Sequence, residues 1–135
     1  MKFDGKILLV DDEAHVRKFV GLIACTMGTP TLIEASNGAE ALEVYQRERP
    51  DLVLLDVNMP ILDGIGTLRE LKKIDPDAVV IMLTSLANRQ TVEESLELGA
   101  SNYLRKDTPK DEIATRLRNT LEAIFGHEGG SETPA

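Results

Sequence analysis

The chain has 135 residues, enough for one domain with a substantial core and little more. Apolar residues make up 42% and charged residues 28%, as in soluble globular proteins, and no apolar run approaches the ~20 residues of a membrane span. A net charge of −8 predicts a surface that repels nucleic acid and anionic lipid, which argues against direct binding to either.

The start, Met1-Lys2-Phe3-Asp4-Gly5-Lys6, leads into only four apolar residues before Asp11. That is too short for a secretory h-region, so a cytoplasmic protein is expected. The first predicted strand, β1 (Lys6–Val10), runs straight into Asp11-Asp12-Glu13. Adjacent carboxylates repel by about 1 kcal/mol at 4 Å in water, and by about 4 at an effective dielectric near 20. Stacked acids at the end of a buried element are read either as a solvated turn or as one half of a cation site.

Val16, Phe19, Val20 and Ile23 follow at i, i+3, i+4 and i+7, one face of a helix, α1. Cys25 lies in the same apolar stretch and is expected to be buried filler. Being alone, it excludes an internal disulfide and a multi-thiolate metal site. After strand β2 (Thr31–Ala35), Asn37-Gly38 opens helix α2 through Leu42 and Tyr45, and Pro50 ends it. Strand β3 (Leu52–Leu55) ends in Asp56. Leu68, Leu71 and Ile74 mark helix α3, which Asp75-Pro76-Asp77 separates from strand β4 (Val79–Leu83) and its terminal Thr84-Ser85.

Val92 and Leu96 mark helix α4, closed by Gly99, and strand β5 (Asn102–Arg105) ends in Lys106. Ile113, Leu117, Leu121 and Ile124 stripe the last helix, α5. Thr108 is its expected N-cap, with Pro109 at the first helical position and Asp111 at the positive end of the helix. The tail from Gly126 to Ala135 is rich in Gly, Ser, Thr, Pro and Glu and is expected to be disordered. Residues 1–125 then form one domain and 126–135 a tail.

Strands alternating with helices imply an α/β fold with a parallel sheet covered on both faces. Five of each suit the flavodoxin-like doubly wound (βα)5 arrangement with strand order 2-1-3-4-5. Ligands in such sheets bind beyond the carboxyl ends of the strands, near the switch between the first and third. In that order Asp56 faces Asp11 and Asp12, with Thr84 and Lys106 nearby. Three carboxylates without His or Cys point to a hard cation, and Mg²⁺ suits one or two carboxylates plus waters and a phosphoryl oxygen. A carboxylate in this setting can attack phosphorus, with Mg²⁺ and Lys106 neutralising the equatorial oxygens and Thr84 donating a hydrogen bond.

The blocks "ILLVDDE", "DLVLLDVNMPILDG", "VVIMLTS" and "GASNYLRK" resemble the four motif blocks of the CheY-like receiver domains of two-component response regulators, over about residues 5 to 125. The resemblance implies that Asp56 is the phosphoacceptor. Asp11 and Asp12 would hold Mg²⁺, together with Asp56 and the backbone carbonyl of Asn58. Thr84 and Lys106 would bind the phosphoryl group, and Tyr103 would be the aromatic that swings inward on activation. Pro60 and Gly64 match the family's loop after the acceptor. The family usually places proline after the lysine, often with a cis bond, where this chain has Asp107. A cis bond costs ~2.5–4 kcal/mol before a non-proline residue and ~0.5–1 before proline. A trans Lys106–Asp107 bond and a differently shaped loop are therefore expected, with one more negative charge near the site.

These features imply a stand-alone phosphorylation switch. A histidine kinase or phosphotransfer protein would load Asp56, and the α4–β5–α5 face would engage a protein partner. With no effector domain after residue 125, output is expected to pass through another protein, or the chain to act as a phosphate sink or relay carrier. It is not expected to turn over external substrates. An Asp-nucleophile phosphohydrolase would need a D-x-D pair on the first strand and a cap domain. A flavodoxin would need a glycine- and hydroxyl-rich phosphate loop where Asp11-Asp12-Glu13 stands. A binding module that no longer uses phosphate is the third alternative. His15 is read as an exposed first-turn residue, His127 carries no signal, and Glu93, Glu94 and Glu97 form a solvated face of α4.

Overall fold

Period-two alternation splits each aliphatic strand between two cores. In the computed structural model, which describes residues 2–85 and 88–126, Ile7 and Leu9 point to one face of the sheet while Leu8 and Val10 point to the other. The elements run β1 (Lys6–Val10), α1 (Ala14–Ala24), a 3₁₀ turn (Cys25–Met27), β2 (Thr31–Ala35), α2 (Gly38–Glu48) and β3 (Leu52–Leu55). They continue with α3 (Gly64–Ile74), β4 (Val80–Thr84), α4 (Arg89–Glu97), β5 (Asn102–Arg105) and α5 (Lys110–Phe125). All strand pairs are parallel, in the order β2-β1-β3-β4-β5. This is the flavodoxin-like doubly wound arrangement read from the sequence.

The first core joins Ile7, Leu9, Leu54, Ile81 and Leu83 to Val20 and Ile23 of α1 and to Ile113, Leu117 and Leu121 of α5. The second joins Leu8, Val53, Leu55, Val80 and Met82 to Val44 and Tyr45 of α2 and to Leu68 and Leu71 of α3. Each side chain of this kind contributes ~1.5–3 kcal/mol when fully buried. The central strands β3 and β4 are buried along their whole length, which explains their unbroken aliphatic runs.

Several local expectations change. β4 begins at Val80 rather than Val79, although the Val79 carbonyl still accepts from Val53 N–H at 2.9 Å. Thr108 does not cap α5. Its N–H closes a turn onto Arg105, and the Pro109 carbonyl accepts from Glu112 and Ile113, which makes Pro109 the N-cap. Cys25 is exposed, because the turn after α1 carries it away from the face of Val20 and Ile23. Phe19 and Leu96, read as core contacts, are 39% and 49% exposed. In α4 the buried residue is Ser95, whose hydroxyl bonds back to the Thr91 carbonyl. The Lys106–Asp107 bond is trans, since no described peptide bond is cis. His127 and all of the expected tail but Gly126 lie outside the described residues.

Candidate functional site

Hydrogen bonding between neighbouring strands runs one residue past three strand ends. Asp11 N–H donates to Ala35 at 3.2 Å, Asp56 N–H to Val10 at 3.0 Å, and Lys106 N–H to Thr84 at 2.8 Å. Asp11, Asp56 and Lys106 are therefore held by the sheet itself, at its carboxyl edge. Asp12, next to Asp11, is exposed, and oxygens from Asp11, Asp12 and Asp56 lie within 4.8 Å of one another. Thr84 is fully buried at the end of β4. Asn58 is exposed on the loop after β3, and Tyr103 is half-buried on β5.

Lys106 crosses to the acids from the neighbouring side. Its Nζ pairs with Asp11 Oδ2 and approaches Asp56 Oδ2 at 3.3 Å, with both carboxylates almost wholly buried. Burial alone would push the lysine's pKa down, but the hydrogen bond with Asp11 and the two negative charges outweigh it and raise the value. Asp56 moves up as well, first through burial and then through the charge of Asp11, while Lys106 and a hydrogen bond from Thr84 oppose the shift. The phenol of Tyr103 is raised by burial and by the charge of Asp56. Among the described residues one atom stands apart: Asp56 Oδ1 is buried without a hydrogen-bond partner there. Buried polar atoms are ordinarily satisfied, and an orphan calls for an explanation. Three oxygen donors converging beside an unpaired carboxylate oxygen fit a hard divalent cation.

The loop after Asp56 is shaped by close approach. A Cβ on Gly64 would lie 2.1 Å from the Asp56 carbonyl oxygen, so only glycine lets α3 start directly against the end of β3. The Asp63 side chain caps that helix at Gly66 N–H, 2.8 Å away. The extra charge of Asp107 is met locally. Arg105 grips its carboxylate with two bonds, of 2.9 and 2.6 Å, while Lys106 between them still reaches the acids.

Arg17 was not anticipated. It lies in α1 between Val16 and Val20, only 16% exposed as a side chain. Its Nη1 donates to the main-chain carbonyl of Asp11 at 2.6 Å and its Nε to Glu34 Oε1 at 2.6 Å. The available signal was a cation four residues after Glu13, on the half-buried flank of an amphipathic helix. His15 is exposed in the first turn of α1, as read from the sequence.

The fold recurs in known proteins. The chain is 36% identical over 116 residues to the chemotaxis protein CheY of Bacillus subtilis (strain 168), covering 86% of this chain and 97% of that protein. It is 40% identical over 129 residues to the probable transcriptional regulator ycf27 of Porphyridium aerugineum, covering 96% of this chain but only 53% of the relative. The chain thus spans about half the length of that relative. A chain in the crystal structure of the CheX-CheY-BeF3-Mg+2 complex from Borrelia burgdorferi superposes with a TM-score of 0.81 at 30% identity, covering 86% of this chain and 88% of that one. The family model of the response regulator receiver domain matches residues 7–118. With the order of the strands, the acids at their ends and this match in agreement, the chain belongs to the response regulator receiver domain family.

Proposed function

We propose that the chain is a phosphorylation-dependent signalling switch in which Asp56 accepts a phosphoryl group. The observation that carries this reading is the buried Oδ1 of Asp56, unpartnered among the described residues, beside two further carboxylates and an ammonium. The donor would be a histidine kinase or a histidine phosphotransfer protein. Asp56 attacks phosphorus as the N–P bond of the phosphohistidine breaks. The bonding pair leaves with the imidazole nitrogen, which takes up a proton.

Asp11, Asp12, Asp56 and the Asn58 carbonyl would hold Mg²⁺, which supplies charge neutralisation for the phosphoryl oxygens. Lys106 would leave its carboxylate partners for a phosphoryl oxygen, and the Thr84 hydroxyl would donate to another. The change at Thr84 and Tyr103 would then bias the α4–β5–α5 face toward a second arrangement that a protein partner prefers. Residues 1–125 act as the receiver unit in this reading, with 126–135 as a tail. No described helix is long and apolar enough to cross a membrane, and we place the protein in the cytoplasm, acting on proteins rather than on nucleic acid.

The test is incubation with acetyl phosphate, with and without Mg²⁺, read by a phosphate-sensitive gel shift. A Mg²⁺-dependent shift that disappears in Asp56→Asn is expected. Multiple turnover of ordinary phosphomonoesters, or no modification by acetyl phosphate and no response to beryllofluoride, would overturn the reading.

A further inference from the structure

The Asp11 main chain lies one residue beyond β1, where its carbonyl has run out of sheet partners. Its N–H is taken by Ala35, its Oδ1 accepts from Glu13 N–H at 3.0 Å, and its Oδ2 meets Lys106. The remaining group, the carbonyl, is met by Arg17 Nη1. A nearly buried carbonyl without a donor would be costly, and a charge-assisted bond of 2.6 Å is among the stronger ways to hold one. Arg17 is itself held from the other side by Glu34 on β2, whose register partner on β1 is Leu9. A small void bordered by Asp11, Arg17 and Asp56 adjoins this contact, beneath the acidic edge.

We infer that Arg17 is a positioning residue of the acidic site: its guanidinium fixes the Asp11 backbone, and through it the two carboxylates that face Asp56. The inference rests on the Mg²⁺-dependent phosphorylation proposed above and adds a residue outside the set proposed to hold the ion and the phosphoryl group. The planar fork suits the task, because Nη1 and Nε serve two partners at once, whereas a lysine ammonium is a single point donor. Glu34 offsets the guanidinium charge, so Arg17 acts through geometry more than through its field. Without it, the Asp11-Asp12-Glu13 turn would lose a fixed carbonyl and its side chains would spread over a wider range of positions.

The sign of one measurement separates this role from its competitors. Removing a cation beside a cation site should tighten Mg²⁺ binding if charge alone matters, and should leave it unchanged if Arg17 only stabilises the fold. Loss of a positioning contact should weaken it, by about tenfold, since groups that orient metal ligands are typically worth 10–100-fold in affinity. The experiment is calorimetric titration with Mg²⁺ alone of the native chain, Arg17→Met and Arg17→Lys, each verified as folded by circular dichroism at the titration temperature. Arg17→Met is expected to bind about tenfold more weakly, and Arg17→Lys to recover part of that loss. Equal or tighter binding by folded Arg17→Met overturns the inference alone. Should Arg17→Met fail to fold, weaker binding by Arg17→Lys supports the role and native-like binding overturns it. A native chain that takes up no Mg²⁺ overturns the phosphorylation reading as well.

Discussion

Asp75 and Asp56 are the same chemical group at opposite ends of one sheet, and their surroundings drive them in opposite directions. Asp75, at the C-terminus of α3, accepts from the Tyr45 hydroxyl at 2.8 Å and from Asp77 N–H at 3.0 Å, with Arg49 3.8 Å away. The hydrogen bond from Tyr45 is the largest reason its pKa falls below the ordinary value. Asp56 has one oxygen shared with Lys106 and the other without a partner among the described residues, and burial raises its pKa. The first carboxylate is satisfied and ties α2 to α3. The second is buried with its charged form disfavoured, the mark of a candidate functional group rather than of a structural tie.

The largest expected effect tests what keeps the Asp56 end tolerable. Lys106→Met removes the ammonium from two nearly buried carboxylates, and breaking such a pair from one side costs about 3 kcal/mol. Urea unfolding in chelator at pH 7 should register that loss. The double variant Lys106→Met/Asp56→Asn should recover part of it.

Next comes a gain. Asp56→Asn should raise the urea midpoint of the metal-free protein at pH 7, by less than the Lys106 loss. The folded pKa of Asp56 lies above the unfolded value, so its favourable contribution is full below 3.8 and disappears as pH rises through the folded value. The gain should therefore shrink as pH falls and vanish where the native carboxyl is protonated in both states. A gain that persists undiminished at low pH would mean the two ends are not opposed in this way. Asp75 has the reverse sign: its lowered pKa gives stability that is present above 3.8 and is lost as pH falls through the folded value.

The smallest effect belongs to the satisfied end. Tyr45→Phe removes one hydrogen bond to a partly exposed carboxylate and should cost about 1 kcal/mol in the same assay. A neutral result would show that solvent replaces the phenol at Asp75.

The sequence made the site legible because its residues follow strands. Once β1, β3, β4 and β5 are recognised as aliphatic runs, topology alone carries Asp11, Asp56, Thr84 and Lys106 to one edge, and a one-residue shift of β4, which runs Val80–Thr84 rather than Val79–Leu83, leaves Thr84 at that edge. Contacts that depend on side-chain reach were less visible. Arg17 bonds to a main-chain carbonyl, which leaves no mark in residue pattern, and Arg105 and Asp107 look like two unrelated surface charges until the turn brings them together. Helix flanks are hard to read for a related reason: Phe19 and Leu96 are apolar residues just outside the arc that faces the core, and Cys25 leaves that arc where the turn after α1 begins. Apolar character alone does not say which side of a helix is covered.

The poverty of α4's anchoring has a mechanical consequence. A helix whose single buried residue is a serine bonded to its own backbone gives up few apolar contacts when it rolls or slides. α3, pinned by Thr67, Leu68 and Leu71, has no such latitude. Displacement is cheapest where the chain is least invested in one position, so a perturbation at the end of β4 would be relieved by movement of α4 before the rest of the scaffold yields.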